Sequence, residues 1–177
     1  VSVVLPFFNG KEFIEETLES LRRQTFRDFE VVAVDDGSTN KEHSGHFSAM
    51  IASFNDPRFR YCPKANGGLS NARNFGADLG KGAWIAFIDQ DDLWDEDKLE
   101  RQMTVVRENP EVNLIFTDGR NIGDISGELG VASRNGLKEG LVRDTYTRLL
   151  KGNFVICSSV LFRKNMQAKA GQSNPCY

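Results

Sequence analysis

Three apolar runs that stop at polar or acidic residues restrict what this chain can fold into. "VSVVLPFF" gives way to Asn9, "FEVVAV" to Asp35 and Asp36, and "AWIAFI" to Asp89, Asp91 and Asp92. Runs this short and this continuously apolar suit strands buried on both faces, as in a parallel sheet. Helical periodicity fills the intervals. Ile14, Leu18 and Leu21 form one stripe within Lys11 to Gln24, with Asn9 and Glu12 as a capping-box-like start. Phe47, Met50, Ile51 and Phe54 form another. "NGGLSNARNFGADLG" reads as a Gly-rich turn entering a helix, and Asp95 to Arg107 as a helix with Leu99, Met103 and Val106 inward. "RFRYC", "VNLIFTDG" and "FVICSSVLF" read as further strands, with a short helix near Thr145 to Leu150 and a turn-rich surface excursion from Gly123 to Gly140. Strands alternating with helices require crossover connections, hence a mostly parallel sheet. With 177 residues and no internal repeat, residues 1–177 read as a single α/β domain.

The charge balance narrows the partners. Twenty-two Lys and Arg against 25 Asp and Glu leave a net charge of −3, which offers no bulk attraction to nucleic acid. No apolar run approaches the roughly 20 residues that span a bilayer, and no signal-peptide pattern opens the chain. The expectation is a cytoplasmic protein without a transmembrane segment, with peripheral contact at the inner face of the membrane left open. Cys62, Cys157 and Cys176 contain no C-x-x-C pair and read as buried thiols in a reducing compartment. His43 and His46 lack the further ligands that a zinc site of three or four requires. The start at Val1 and the loop-like "KAGQSNPCY" at the end read as the bounds of an excised segment.

Ligands of open α/β sheets bind beyond the carboxyl ends of the strands. If the three acid-ending or Asn-ending strands are parallel neighbours, "PFFN", "DDGS" and "DQDD" converge on one edge. Clustered carboxylates repel unless something compensates them. Asp89 and Asp91 suit a hard cation, Mg²⁺ or Mn²⁺, shared with diphosphate oxygens; the competing reading has them cap the next helix. Asp92, Asp95, Glu96 and Asp97 fit the helix-start pattern instead. Asp36 suits a base imide or a ribose hydroxyl, or else an Asx-turn within "DDGS". Phe8 suits a stacked base or the core. Arg73 offers a planar fork of donors to base or phosphate oxygens, or forms a surface salt bridge. The Gly67-Gly68 pair permits close backbone approach but is no P-loop, since no G-K-[ST] follows.

Taken together, "VSVVLPFFNGKEFIEETLESLRRQTFRDFEVVAVDDGSTN" and "NGGLSNARNFGADLGKGAWIAFIDQDD" resemble the family 2 inverting nucleotide-sugar glycosyltransferases, over essentially the whole chain. The resemblance implies the GT-A fold, a Rossmann-like three-layer α/β/α sandwich with a mostly parallel sheet. It implies a nucleotide pocket lined by Pro6, Phe8 and Asn9, with Asp36 on the base. The block Asn66, Gly68, Ala72, Arg73 and Asn74 matches the family's, with Asn66 and Arg73 in nucleotide-binding roles. The D-x-D motif falls on Asp89, implying ribose contact, and Asp91, implying metal ligation chiefly there, with Mg²⁺ or Mn²⁺ as cofactor. The implied donor is a nucleotide-diphosphate sugar, with a UDP-sugar as the expected one. The acceptor is a saccharide or lipid-linked saccharide, in polysaccharide or glycoconjugate synthesis. The family's catalytic aspartate follows a segment like "CSSVLFRKN", so the base is expected beyond Tyr177, which leaves a donor-binding portion without transferase activity as the alternative. A haloacid-dehalogenase-type phosphatase also places two aspartates one apart at a strand end. Here Asp92 and Leu93 follow, where those enzymes carry Thr or Val.

Overall fold

The structure, a computed structural model, describes residues 1–120, 122, 140 and 145–172. Six strands form one sheet: β1 (Ser2–Phe7), β2 (Glu30–Asp35), β3 (Phe59–Pro63), β4 (Trp84–Phe87), β5 (Leu114–Ile115) and β6 (Leu161–Arg163), in the order β3-β2-β1-β4-β6-β5. The first four are mutually parallel. β6 runs antiparallel to both β4 and β5. Helices α1 (Ile14–Arg22), α2 (Lys41–Ser53), α3 (Leu69–Leu79) and α4 (Lys98–Glu108) link the early strands, and α5 (Thr145–Leu149) and α6 (Lys164–Ala170) lie late in the chain.

The period of two along each strand sorts the side chains into two cores. Val3, Leu5 and Phe7 of β1 join Val31 and Ala33 of β2 against Ile14, Leu18 and Leu21 of α1, Phe47 and Ile51 of α2, and Leu99 of α4. On the other face Val4, Val32, Val34 and Ile85 pack on Ala72 and Ala77 of α3. Two helical layers therefore enclose the sheet, which is why its central strands read as unbroken apolar runs.

Several sequence expectations change at the element ends. Asn9 does not cap α1: that helix begins at Ile14 after Phe13, with no side-chain cap bond. Asn9 instead takes a φ of 52°, donates to the Thr39 hydroxyl at 3.0 Å and accepts from the Asn40 amide at 3.0 Å. α4 starts at Lys98, three residues later than expected from Asp95. "FVICSSVLF" is not one strand, because a 3-10 turn at Cys157–Ser159 precedes the short β6. "VNLIFTDG" contributes only the two residues of β5, at the sheet edge. Nearly all of the excursion expected over 123–140 lies outside the described residues, as does Cys176.

Gly76 fixes how closely α3 approaches the sheet. A Cβ there would meet the Val4 Cγ1 atom at 2.3 Å, and Val4 is fully buried in the central strand. Alanine favours helix over glycine by about 1 kcal/mol, yet overpacking a rigid site costs about 1–3 kcal/mol. Gly76→Ala is therefore expected to lower the urea midpoint. An unchanged or higher midpoint would show that α3 is free to shift outward.

Candidate nucleotide-sugar site

The carboxyl ends of β2, β1 and β4 lie side by side, which brings "DDGS", "PFFN" and "DQDD" to one edge. The strand order reverses at β1, with β2 on one side and β4 on the other, and such switch points open crevices. Pro6 helps to make this one. Pairing of β1 with β4 runs from Ser2↔Ile85 to Val4↔Phe87, with a last bond from the Ile88 amide to the Val4 carbonyl at 3.2 Å. Two residues further along that edge, Pro6 is buried and has no N–H to extend the ladder. Phe8 emerges at the mouth, 44% exposed. Its core alternative does not hold.

The adjacent aspartates of "DDGS" divide their work. Asp35 turns inward, accepting from the Ser38 amide at 2.9 Å, the Ser44 hydroxyl at 2.6 Å and the Tyr61 hydroxyl at 2.7 Å. Burial works to raise its carboxyl, but these bonds outweigh it and hold the group below the ordinary range. The local turn role considered for Asp36 thus belongs to Asp35. Asp36 holds the Gly-rich turn: its carboxylate accepts from Gly68 N–H at 2.8 Å, Gly67 N–H at 3.1 Å and the Lys64 ammonium at 2.6 Å. Asn66 returns a bond from Nδ2 to the Asp36 carbonyl at 2.8 Å. Gly37, at φ 68°, lets the two loops meet, since a Cβ there would sit 2.5 Å from the Asn66 nitrogen. Lys64 lies outside every motif of the sequence, and within "DDGS" the pattern alone does not separate the inward Asp35 from Asp36.

Across the crevice, Arg73 of α3 donates from Nη2 to Asp89 Oδ1 at 2.5 Å and lies 5.8 Å from the Phe87 ring centroid. Its Nε is buried with no hydrogen-bond partner among the described residues. Gln90, between the two aspartates of the motif, accepts from the Phe8 amide at 3.0 Å through Oε1 and from the Thr17 hydroxyl at 3.0 Å through its carbonyl. The tip of β1 and the acidic turn are thereby joined. Asp91 is exposed, and its side chain makes no hydrogen bond or ion pair among the described residues. Asp89 and Asp91 therefore leave the helix-capping reading behind, because α4 begins well after them and its flanking Asp97 makes no side-chain cap bond.

Asp92 also departs from the helix-start expectation. It is half-buried and accepts from the Ser158 hydroxyl. Burial pushes its carboxyl up, against the Ser158 bond, and the Asp89 and Asp91 charges add to the rise. The turn at Cys157–Ser159 is anchored from behind: Trp94 Nε1 donates to the Ser158 carbonyl at 2.7 Å, and Gln102 Nε2 to the Ser159 carbonyl at 2.8 Å. Lys98 sits under Trp94 with Nζ 3.5 Å from the ring centroid and 3.2 Å from Gln102 Oε1. His43 on α2 contacts the Asn9 carbonyl through Nδ1 at 2.6 Å, and no three metal-ligating side chains cluster among the described residues. Cys62 and Cys157 are free thiols.

The six-stranded sheet and its helices recur in solved structures. TarS of S. aureus in complex with UDP-GlcNAc matches with a TM-score of 0.76 at 21% identity, over 96% of this chain and 46% of that one. The mannosyltransferase PcManGT of Pyrobaculum calidifontis, in complex with GDP-Man and Mn²⁺, matches at 0.70 and 17% identity, over 98% and 47%. The fold is thus the GT-A α/β/α sandwich of nucleotide-sugar glycosyltransferases. Residues 2–166 match the model for glycosyl transferase family 2, and the chain belongs to that family. An uncharacterised glycosyltransferase of Rickettsia bellii is 33% identical over 128 residues, 72% of this chain but 18% of that protein. The UDP-Glc:alpha-D-GlcNAc-diphosphoundecaprenol beta-1,3-glucosyltransferase WfgD of Escherichia coli is 26% identical over 170 residues, 94% of this chain and 61% of that protein. The chain therefore spans less than two thirds of either relative. Among the described residues no helix is long and apolar enough to cross a membrane.

Burial pushes the Lys98 ammonium down to about 7. An unfolded chain keeps that proton to about 10.4, so stability rises with pH between those values as the folded penalty disappears. Lys98→Met is expected to stabilise the protein by about 1–3 kcal/mol at pH 6. The advantage should shrink as the pH approaches 10. Urea midpoints across that range test this, and a pH-independent gap would exclude a desolvated ammonium.

Proposed function

We propose that the protein transfers a sugar from a nucleoside-diphosphate sugar to an acceptor hydroxyl, with inversion, and that this chain carries the donor-binding part. The observation that carries the reading is the contact of Arg73 with Asp89 at the sheet edge that also carries Asp36 and Asp91, in a chain of glycosyl transferase family 2. Phe8 stacks on the base, while Pro6 and Asn9 shape the pocket floor. Asp36, with Asn66 in the turn that it holds, faces the base. Arg73 has further donors besides the one given to Asp89 for base or phosphate oxygens, and Asp89 contacts the ribose. A UDP-sugar is the preferred donor, because WfgD is named for UDP-Glc and TarS was solved with UDP-GlcNAc.

Asp91, exposed and unpaired among the described residues, and the second oxygen of Asp89 present hard carboxylate donors, which fit Mg²⁺ or Mn²⁺. Mn²⁺ accompanies GDP-Man in the PcManGT structure. Bound there, the ion would neutralise charge on the departing diphosphate. The acceptor oxygen bonds to the anomeric carbon as the bond from that carbon to the diphosphate oxygen breaks, and a carboxylate base takes the hydroxyl proton. A saccharide or lipid-linked saccharide is the proposed acceptor, and the cytoplasmic face of a membrane the proposed setting.

Calorimetric titration of UDP with and without Mn²⁺ tests the donor reading. Binding should be metal-dependent, lost in Asp91→Ala and nearly unchanged in Asp97→Ala, since Asp97 is exposed beside the start of α4. Equal affinity after chelation would remove the metal role. Failure to bind any nucleoside diphosphate would overturn the whole assignment.

A further inference from the structure

Ser158 lies 66 residues from Asp92 in the chain, yet its hydroxyl touches both ends of the acidic turn. The Asp89 amide is 3.0 Å from Ser158 Oγ, and as a backbone N–H it must be the donor. The single hydroxyl proton is then free for the Asp92 carboxylate, and that is where it goes. The Asp92 amide in turn donates to the Asp89 carbonyl at 3.2 Å. The four-residue turn is thus closed twice, once through backbone and once through the Ser158 side chain. Ser158 is itself fixed, because Trp94 holds its own carbonyl and Gln102 that of Ser159. Asp91 projects from this braced turn.

A third carboxylate beside Asp89 and Asp91 is unfavourable in charge terms, and burial makes it more so. Nothing in the helix that follows requires it. We infer that Asp92 is a positioning residue: it orients the Ser158 hydroxyl to accept the Asp89 amide, and so sets the geometry in which Asp89 and Asp91 meet the cation and the donor. The role needs an acceptor oxygen at this position rather than a negative charge. This inference rests on the proposed donor site, but its structural half is independent of it.

The test uses Asp92→Asn, Asp92→Ala, Ser158→Ala and the double alanine variant. In the ligand-free protein, Asp92→Ala and Ser158→Ala should each speed hydrogen exchange of the Asp89 amide by about tenfold. Asp92→Asn, which keeps the acceptor oxygen, should leave it close to wild type and also controls for folding. In calorimetry, each alanine variant should weaken Mn²⁺-dependent UDP binding by about tenfold. Asp92→Asn should stay within about twofold, and the double variant should be no worse than either single one. Loss in Asp92→Asn equal to that in Asp92→Ala would mean that charge or direct ligation is at work and would overturn the inference. So would wild-type binding by Asp92→Ala, or additive losses in the double variant. If the wild-type protein binds no nucleotide, the donor-site proposal fails, while the exchange rates still decide whether Asp92 and Ser158 brace the turn.

Discussion

Parallel pairing of β1 between β2 and β4 is the constraint from which the site follows. Each of those strands is buried on both faces, so its register is enforced by two cores at once. A one-residue slip would drive Val4 and Val32 toward α1 and Leu5 and Ala33 toward α3, mispacking both cores. With register fixed, the strand ends cannot spread apart, and the residues that end them are forced into one neighbourhood. The polar ends lie where three buried strands run out of partners, which is where backbone and side chains can face a ligand.

Such crowding of carboxylates has to be offset, and the chain does so unevenly. Asp35 is satisfied by hydroxyls and an amide, Asp36 by a lysine and two glycine amides, Asp89 by an arginine and Asp92 by a serine. Among the described residues, Asp91 alone of these five has no such partner and is exposed. The same electrostatic problem has been solved locally for every member but one, and that asymmetry separates residues that build the turn from the residue that is displayed. The Asp36–Lys64 pair is largely buried, so its worth lies less in net stability than in specifying where the 66–68 turn sits.

The α/β class, the central strands and the convergence of acidic ends were legible because they depend on local apolar runs and on period. Asp89 and Asp91 were legible too, since their spacing at the end of "AWIAFI" carries the signal. Element ends were less so. The cap expected from Asn9 and Glu12 did not form because Asn9 is occupied by Thr39 and Asn40, some thirty residues away. The acids after Asp91 looked like one helix start, but α4 waits until Lys98, and Asp92 is drawn instead to Ser158.

Sequence alone determined that this chain forms a mostly parallel sheet with acids at its carboxyl edge, because burial of apolar runs is a property of each run by itself. Tertiary structure decided which acid does what. Asp35 and Asp36 are the same side chain on adjacent residues, yet the strand pleat turns one toward Tyr61 and the other toward Lys64. Neither partner can be identified from its own stretch of sequence. Hydrogen bonds and ion pairs act over about 3 Å, and only the folded chain brings residues separated by 26 to 66 positions to that distance.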